Sequence, residues 1–148
     1  MLKFLHNVIV IDDDYISLFL ITKIFYRQQI TETILPFTNG INALNYLSAN
    51  TQDYYKLPEI IFVDVNMPDI NGWQFLKELN KIKFIAGYKP AIYLISAELN
   101  IDFEMLENWP WVKGYLTKPI IPGKLIQLLN SLETEFENTN KSSTVGIV

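Results

Sequence analysis

Residues suited to phosphate and metal chemistry recur in this chain at or just after runs of apolar residues. Asp12-Asp13-Asp14 follows Asn7–Ile11, Asp64 lies at the end of Ile60–Val65, Ser96 follows Ala91–Ile95, and Lys118 follows Val112–Thr117. Three carboxylates brought together repel and raise one another's pKa values. A divalent cation removes that penalty. Magnesium suits such a site because it takes a few carboxylates, keeps waters and completes its octahedron with phosphate oxygen. One carboxylate is then available as a nucleophile toward a phosphoryl group. Lys118 would counter the charge on the phosphoryl oxygens, and the Ser96 hydroxyl could hydrogen-bond one of them. Each residue alone has a plainer reading: the acidic triplet as a helix cap and solvated first turn, Asp64 as a turn residue, Ser96 as a cap, Lys118 as a surface charge. Four types suited to one reaction, ending four separate apolar runs, weaken that reading.

The elements that must position these residues can be read from periodicity. Five apolar runs, Asn7–Ile11, Thr33–Phe37, Ile60–Val65, Ala91–Ile95 and Val112–Thr117, are the expected strands. The first, third and fourth are nearly continuous in large apolar residues, as in parallel strands buried on both faces. The second is more polar and suits a sheet edge. Helical stripes intervene: Ile41, Leu44 and Leu47, then Phe75, Leu76, Leu79 and Ile82, then Leu125, Leu128, Leu129, Leu132 and Phe136, with Pro122 in the first turn of the last helix. The segment Ile16–Tyr26 is apolar nearly all round, which predicts a well-buried first helix. A short helix is expected over Ile101–Asn108, ended by Pro110. The alternation predicts a doubly wound α/β sheet with helices on both faces, whose strand carboxyl ends share one rim.

Composition bounds the rest. The chain has 148 residues, 49% of them hydrophobic, enough for one domain with a real core. No apolar run approaches the ~20 residues needed to span a bilayer. The apolar start, Met1 to Ile11, runs straight into acids without a small-residue cleavage site, so a buried strand is expected there rather than a leader. The absence of cysteine excludes disulfides and thiolate chemistry and is compatible with the cytoplasm. A net charge of -4 disfavours general affinity for nucleic acid. The polar tail, Asn138 to Val148, is expected to be frayed or disordered.

At Val8-Ile-Val-Ile-Asp-Asp-Asp14, Val63-Asp-Val-Asn-Met-Pro68 with Asn71-Gly72, Leu94-Ile-Ser-Ala97 and Tyr115-Leu-Thr-Lys-Pro119, the sequence resembles the receiver domain of two-component response regulators. The resemblance covers roughly Val8 to Phe136, with a receiver domain expected over 1–137. It implies a flavodoxin-like five-stranded parallel sheet in the order 2-1-3-4-5. It further implies that Asp64 is the phosphoacceptor, served by a histidine kinase or histidine phosphotransfer protein. Asp12 and Asp13 look like the acidic pair that holds Mg2+, with Asp64 and the backbone carbonyl of Asn66 completing the protein's ligands. Ser96 matches the switch hydroxyl, Tyr115 the switch aromatic and Lys118 the active-site lysine, while Asp14 is expected to be peripheral. A cis Lys118–Pro119 bond is implied as well.

The expected function is that of a stand-alone receiver signalling through an unknown downstream protein. No enzymatic turnover, direct nucleic-acid contact, membrane insertion or organic cofactor is expected. Output is expected from the surface around Tyr115, near Trp109, Trp111 and Lys113, because the residues after Phe136 are too few for a DNA-binding domain. His6 is not a plausible phosphohistidine, and Trp73 reads as packing. Other functions remain open at this level. A phosphohydrolase of the haloacid dehalogenase type fits the Asp12-x-Asp14 spacing but lacks a later acidic pair. A phosphorylation-independent binding module would not need so costly an acid cluster. A flavin carrier would need a hydroxyl- and glycine-rich loop where the three aspartates stand.

Overall fold

The computed structural model describes residues 5–97 and 103–132. The expected tail at 138–148, Phe136, and the start of the short helix at 101–102 lie outside them. Five strands, β1 (Leu5–Ile11), β2 (Thr31–Phe37), β3 (Ile60–Asp64), β4 (Ala91–Ser96) and β5 (Val112–Thr117), alternate with α1 (Tyr15–Gln28), α2 (Gly40–Ala49), α3 (Gly72–Lys81) and α4 (Phe103–Glu107). A further helix, α5, begins at residue 122 and continues through residue 132. All pairings are parallel, in the order β2-β1-β3-β4-β5. The expected architecture is therefore present, with the more polar β2 at an edge.

Strand alternation builds two cores. Val8, Val10, Ile60, Phe62, Tyr93 and Ile95 face α1 and α5, meeting Ile21, Phe25, Leu125 and Leu129. Their neighbours Ile9, Ile11, Ile61, Val63, Ile92 and Leu94 face the opposite layer with Leu47, Phe75 and Leu76. A strand buried on both faces has no polar face to show, which is why the central runs read as continuous. Phe62 anchors the first core, 5.9 Å from Phe25 edge-on and 5.5 Å from Tyr93 in a stack.

Three expectations need correction. β1 begins at Leu5, so His6 lies inside it rather than before it, because Leu5 pairs with Thr31 and its N–H donates to the Ile30 carbonyl at 2.6 Å. The first helix is only half buried: Leu18, Ile21, Ile24 and Phe25 pack inward, whereas Tyr15, Ile16, Phe19 and Tyr26 are exposed. A helix on an open sheet can bury only the face toward the strands. In α2 the inward residues are Gly40, Ala43 and Leu47, and Ile41 faces solvent.

Candidate functional site

Each strand delivers its residue to the same rim. β1 ends at Ile11, and the Asp12 N–H donates to the Phe37 carbonyl at 3.0 Å, tying the acidic loop to the end of β2. Asp14 then caps α1: its carboxylate accepts from the Ile16 N–H at 2.9 Å and from the Ser17 hydroxyl at 3.1 Å. That capping is the plain reading weighed for the triplet, and it holds for this one member. Asp64 closes β3, buried and paired in register with Ile95. The following loop returns through Asn71, which caps α3 in a reciprocal box with Gln74. Asn-Gly-Trp-Gln carries that box in plain view, a local signal that the reading by strand ends passed over. A Cβ on Gly72 would sit 2.9 Å from the Asp64 carbonyl oxygen.

Among these residues, oxygens of Asp12, Asp13 and Asp64 lie within 4.8 Å of one another. Asp12 and Asp64 are buried and Asp13 is exposed, so the cluster opens to solvent on one side. Lys118 enters from the end of β5, its backbone held by donation to the Ser96 carbonyl at 2.8 Å. The Lys118–Pro119 peptide bond is cis, as expected. The Lys118 ammonium lies 3.0 Å from Asp12 and 3.1 Å from Asp64, with Asp14 at 3.9 Å.

Burial pushes the Asp12 carboxyl up most, to about 6; the Asp14 N–H opposes the rise, the Asp64 charge adds to it, and Lys118 offsets it only in part. Burial would lower the Lys118 ammonium, but its bonds to Asp12 and Asp64 outweigh that and hold it above its ordinary value. The Ile16 N–H holds Asp14 below the usual carboxylate range. The group therefore carries more carboxylate than its one ammonium neutralises.

A divalent cation fits this donor set. Asp12 and Asp64 are both buried and share the single Lys118 ammonium, which stands 3.0 Å from Asp12 and 3.1 Å from Asp64, with Asp13 beside them. Three carboxylates around one ammonium leave an excess of negative charge that a divalent cation would balance. Hard, oxygen-only ligands with one open side suit magnesium, which keeps part of its water.

The remaining sequence-assigned residues are placed as follows. The Asn66 N–H donates to Asp64 Oδ1 at 3.2 Å, and its side chain is exposed. Ser96 is buried at the end of β4, in register with Thr117. Tyr115, on β5, is 40% exposed and lines an open groove with Leu128 and Ser131 of α5. Trp73 packs against the second core, as does Trp109, which stacks on Trp111 at 5.9 Å. No helix among the described residues is long and apolar enough to cross a membrane.

Comparison with known proteins agrees with this geometry. The family model of the response regulator receiver domain matches residues 8–130. A two-component response regulator structure from Cytophaga hutchinsonii is 32% identical with a TM-score of 0.75, covering 87% of this chain and 97% of that one. Protein MrkE of Klebsiella pneumoniae is 23% identical over 138 residues, 93% of this chain but 47% of MrkE. The transcriptional regulatory protein YpdB of Escherichia coli K12 is likewise 23% identical, over 93% of this chain and 52% of YpdB. The chain thus spans about half the length of those curated relatives. Sequence, sheet order and matched span converge: the chain belongs to the response regulator receiver domain family of two-component systems.

Proposed function

We propose that this receiver accepts a phosphoryl group on Asp64 from a phosphohistidine of a histidine kinase or histidine phosphotransfer protein, and signals through a switch joining Ser96 and Tyr115. The observation that carries the reading is Lys118, whose ammonium bridges Asp12 and Asp64 at 3.0 and 3.1 Å beside an acid cluster open to solvent. Such a group is poised to pair with the oxygens of an arriving phosphoryl group.

Asp12, Asp13, Asp64 and the Asn66 carbonyl would hold magnesium, which when bound supplies positive charge to the phosphoryl oxygens. A carboxylate oxygen of Asp64 attacks phosphorus while the nitrogen–phosphorus bond breaks, its electron pair remaining on the donor imidazole. The Asn66 N–H, already on Asp64 Oδ1, keeps the carboxylate oriented. Lys118 shifts from the two carboxylates toward the new oxygens. The Ser96 hydroxyl then turns to one of them, leaving room for the Tyr115 ring to move inward from its exposed position.

Delivery by a protein is supported by α1, whose first turn adjoins the acidic loop and exposes Tyr15, Ile16 and Phe19. The role is that of a signalling domain in the cytoplasm, with stoichiometric modification in place of substrate turnover. Output passes through a protein contact at the Tyr115 surface.

Incubation with magnesium and acetyl phosphate, followed by intact mass and site mapping, tests the reading. One phosphoryl group per chain on Asp64 is expected, lost on chelation of the metal and in Asp64→Asn. Equal labelling of Asp64→Asn, or multiple turnover of a phosphate ester, would overturn it.

A further inference from the structure

We propose that the outer face of α1 binds a second copy of this chain, the two α1 helices packing antiparallel about a twofold axis near Phe19. Ile16, Phe19, Lys23 and Tyr26 repeat at steps of three, four and three along that face, and all four are exposed. This is the spacing of a seam between two paired helices. Tyr15 extends it at one end. Leu18, Ile21, Ile24 and Phe25 occupy the other side of α1 and hold it on the sheet, so the seam points away from the chain's own core.

The charges at the two ends of the seam choose the occupant. At its start stands the acidic loop, where Asp12, Asp13 and Asp64 outnumber the one Lys118 ammonium. At its end stand Lys23 and Arg27, both exposed and neither in an ion pair among the described residues. The Lys23 ammonium lies 5.7 Å from the centre of the Phe19 ring, which keeps it along the seam. A helix with an acidic start, an apolar middle and a basic end is complementary to itself reversed. Turned end for end, a second copy brings its Arg27 toward the acidic loop, its Lys23 opposite Ile16, and its Phe19 against Phe19. Such a pairing is isologous and closed, so it stops at two copies.

Tyr15, Ile16, Phe19 and Tyr26 expose an apolar patch on the order of 500 Å². Burying it on both copies, with the stems of Lys23 and Arg27, removes on the order of 1,200 Å² in all, the lower limit of a stable interface. The dimer is therefore weak and reversible. The first turn of α1 is also the surface assigned to the phosphodonor, so self-association and delivery to Asp64 exclude each other. That consequence alone rests on the reading of Asp64 as phosphoacceptor.

Sedimentation of the whole chain without phosphodonor, from about 5 µM to about 0.5 mM, tests the surface independently of phosphorylation. A monomer–dimer equilibrium with a Kd of about 10–300 µM is expected. Phe19→Asp places like charges beside the axis and should weaken association at least about tenfold. Ile16→Glu and Ile16→Lys lose the same apolar contact, but only the lysine meets Lys23 of the second copy as a like charge. The glutamate variant should therefore dimerise about tenfold more tightly than the lysine variant. Circular dichroism melts check that these exposed substitutions leave the chain folded. A wild-type chain that is monomeric at about 0.5 mM would overturn the proposal. So would dimerisation that Phe19→Asp leaves intact, or equal affinity in the two Ile16 variants.

Discussion

Gly72 and Asp64 touch through their backbones: a Cβ on Gly72 would stand 2.9 Å from the Asp64 carbonyl oxygen and 2.9 Å from the Val65 Cα. The Gly72 N–H also donates to the Val65 carbonyl at 2.9 Å. The start of α3 is thereby pressed against the strand end that carries the phosphoacceptor candidate. Neither neighbour is a flexible side chain, so any added methyl group must move main chain. Gly72→Ala should lose about 1–3 kcal/mol by overpacking and lower the rate of phosphorylation. Gly123→Ala, where a Cβ meets nothing within 4 Å, should be neutral or slightly stabilising. Urea midpoints of the two variants check the contrast.

Lys118→Ala should expose the repulsion that the lysine masks. Asp12 and Asp64 would remain buried without their shared ammonium. Removing one partner of a buried ion pair destabilises by about 3–5 kcal/mol, and the lower end applies because the site opens beside Asp13. Magnesium should recover more stability in this variant than in wild type, since a cation restores the missing charge. Thermal melts with and without the ion measure the difference.

Asp12 predicts a dependence of stability on pH in magnesium-free buffer. Its carboxyl is raised by burial from 3.8 to about 6, so the folded state holds its proton at pH values where the unfolded chain has released it. The associated stability is present below about pH 4 and is lost as pH rises through about 6. Asp14, shifted downward by its capping bond, acts in the opposite sense and loses its contribution as pH falls. Asp12→Asn should therefore flatten the decline between pH 4 and 6. It should be more stable than wild type near neutrality by about 1–3 kcal/mol. An unchanged profile would show that burial of Asp12 is compensated elsewhere.

Asp14→Ala separates capping from chemistry. Losing the bonds to the Ile16 N–H and the Ser17 hydroxyl should cost about 1 kcal/mol of stability. Magnesium affinity and labelling by acetyl phosphate should stay within about threefold of wild type, because a difference of that size is under 1.4 kcal/mol. A tenfold loss of magnesium affinity would place Asp14 among the ligands.

Ser96→Ala should uncouple modification from response. The variant should still be phosphorylated on Asp64, and the Tyr115 ring should keep its exposed environment. Ring resonances of Tyr115, compared with and without phosphodonor, should move in wild type and stay put in Ser96→Ala. Identical shifts in both would place the switch elsewhere.

The amino-acid sequence by itself determined the parallel sheet and which residue types gather at its rim. Continuous apolar runs such as Ile60–Val63 can be buried only on both faces, and chain direction then sends Asp12, Asp64, Ser96 and Lys118 to one edge. Residue type and the parallel direction of the strands suffice for that conclusion, whereas the strand order was implied only by the receiver resemblance. The stripes of α3 and α5 were legible in the sequence, but the tertiary structure alone decided which side of α1 is covered and that Ile41 of α2 is not. Phe19 and Phe25 are the same residue type on one helix, yet Phe19 is 63% exposed and Phe25 is fully buried. Periodicity counts apolar residues around an axis, whereas burial depends on the direction of the neighbouring strands. Close approaches obey the same logic. The fit of Gly72 against Asp64 and the sharing of the Lys118 ammonium by Asp12 and Asp64 arise between residues distant in the chain. Their energies depend on separations of a few ångströms, which only packing in three dimensions sets.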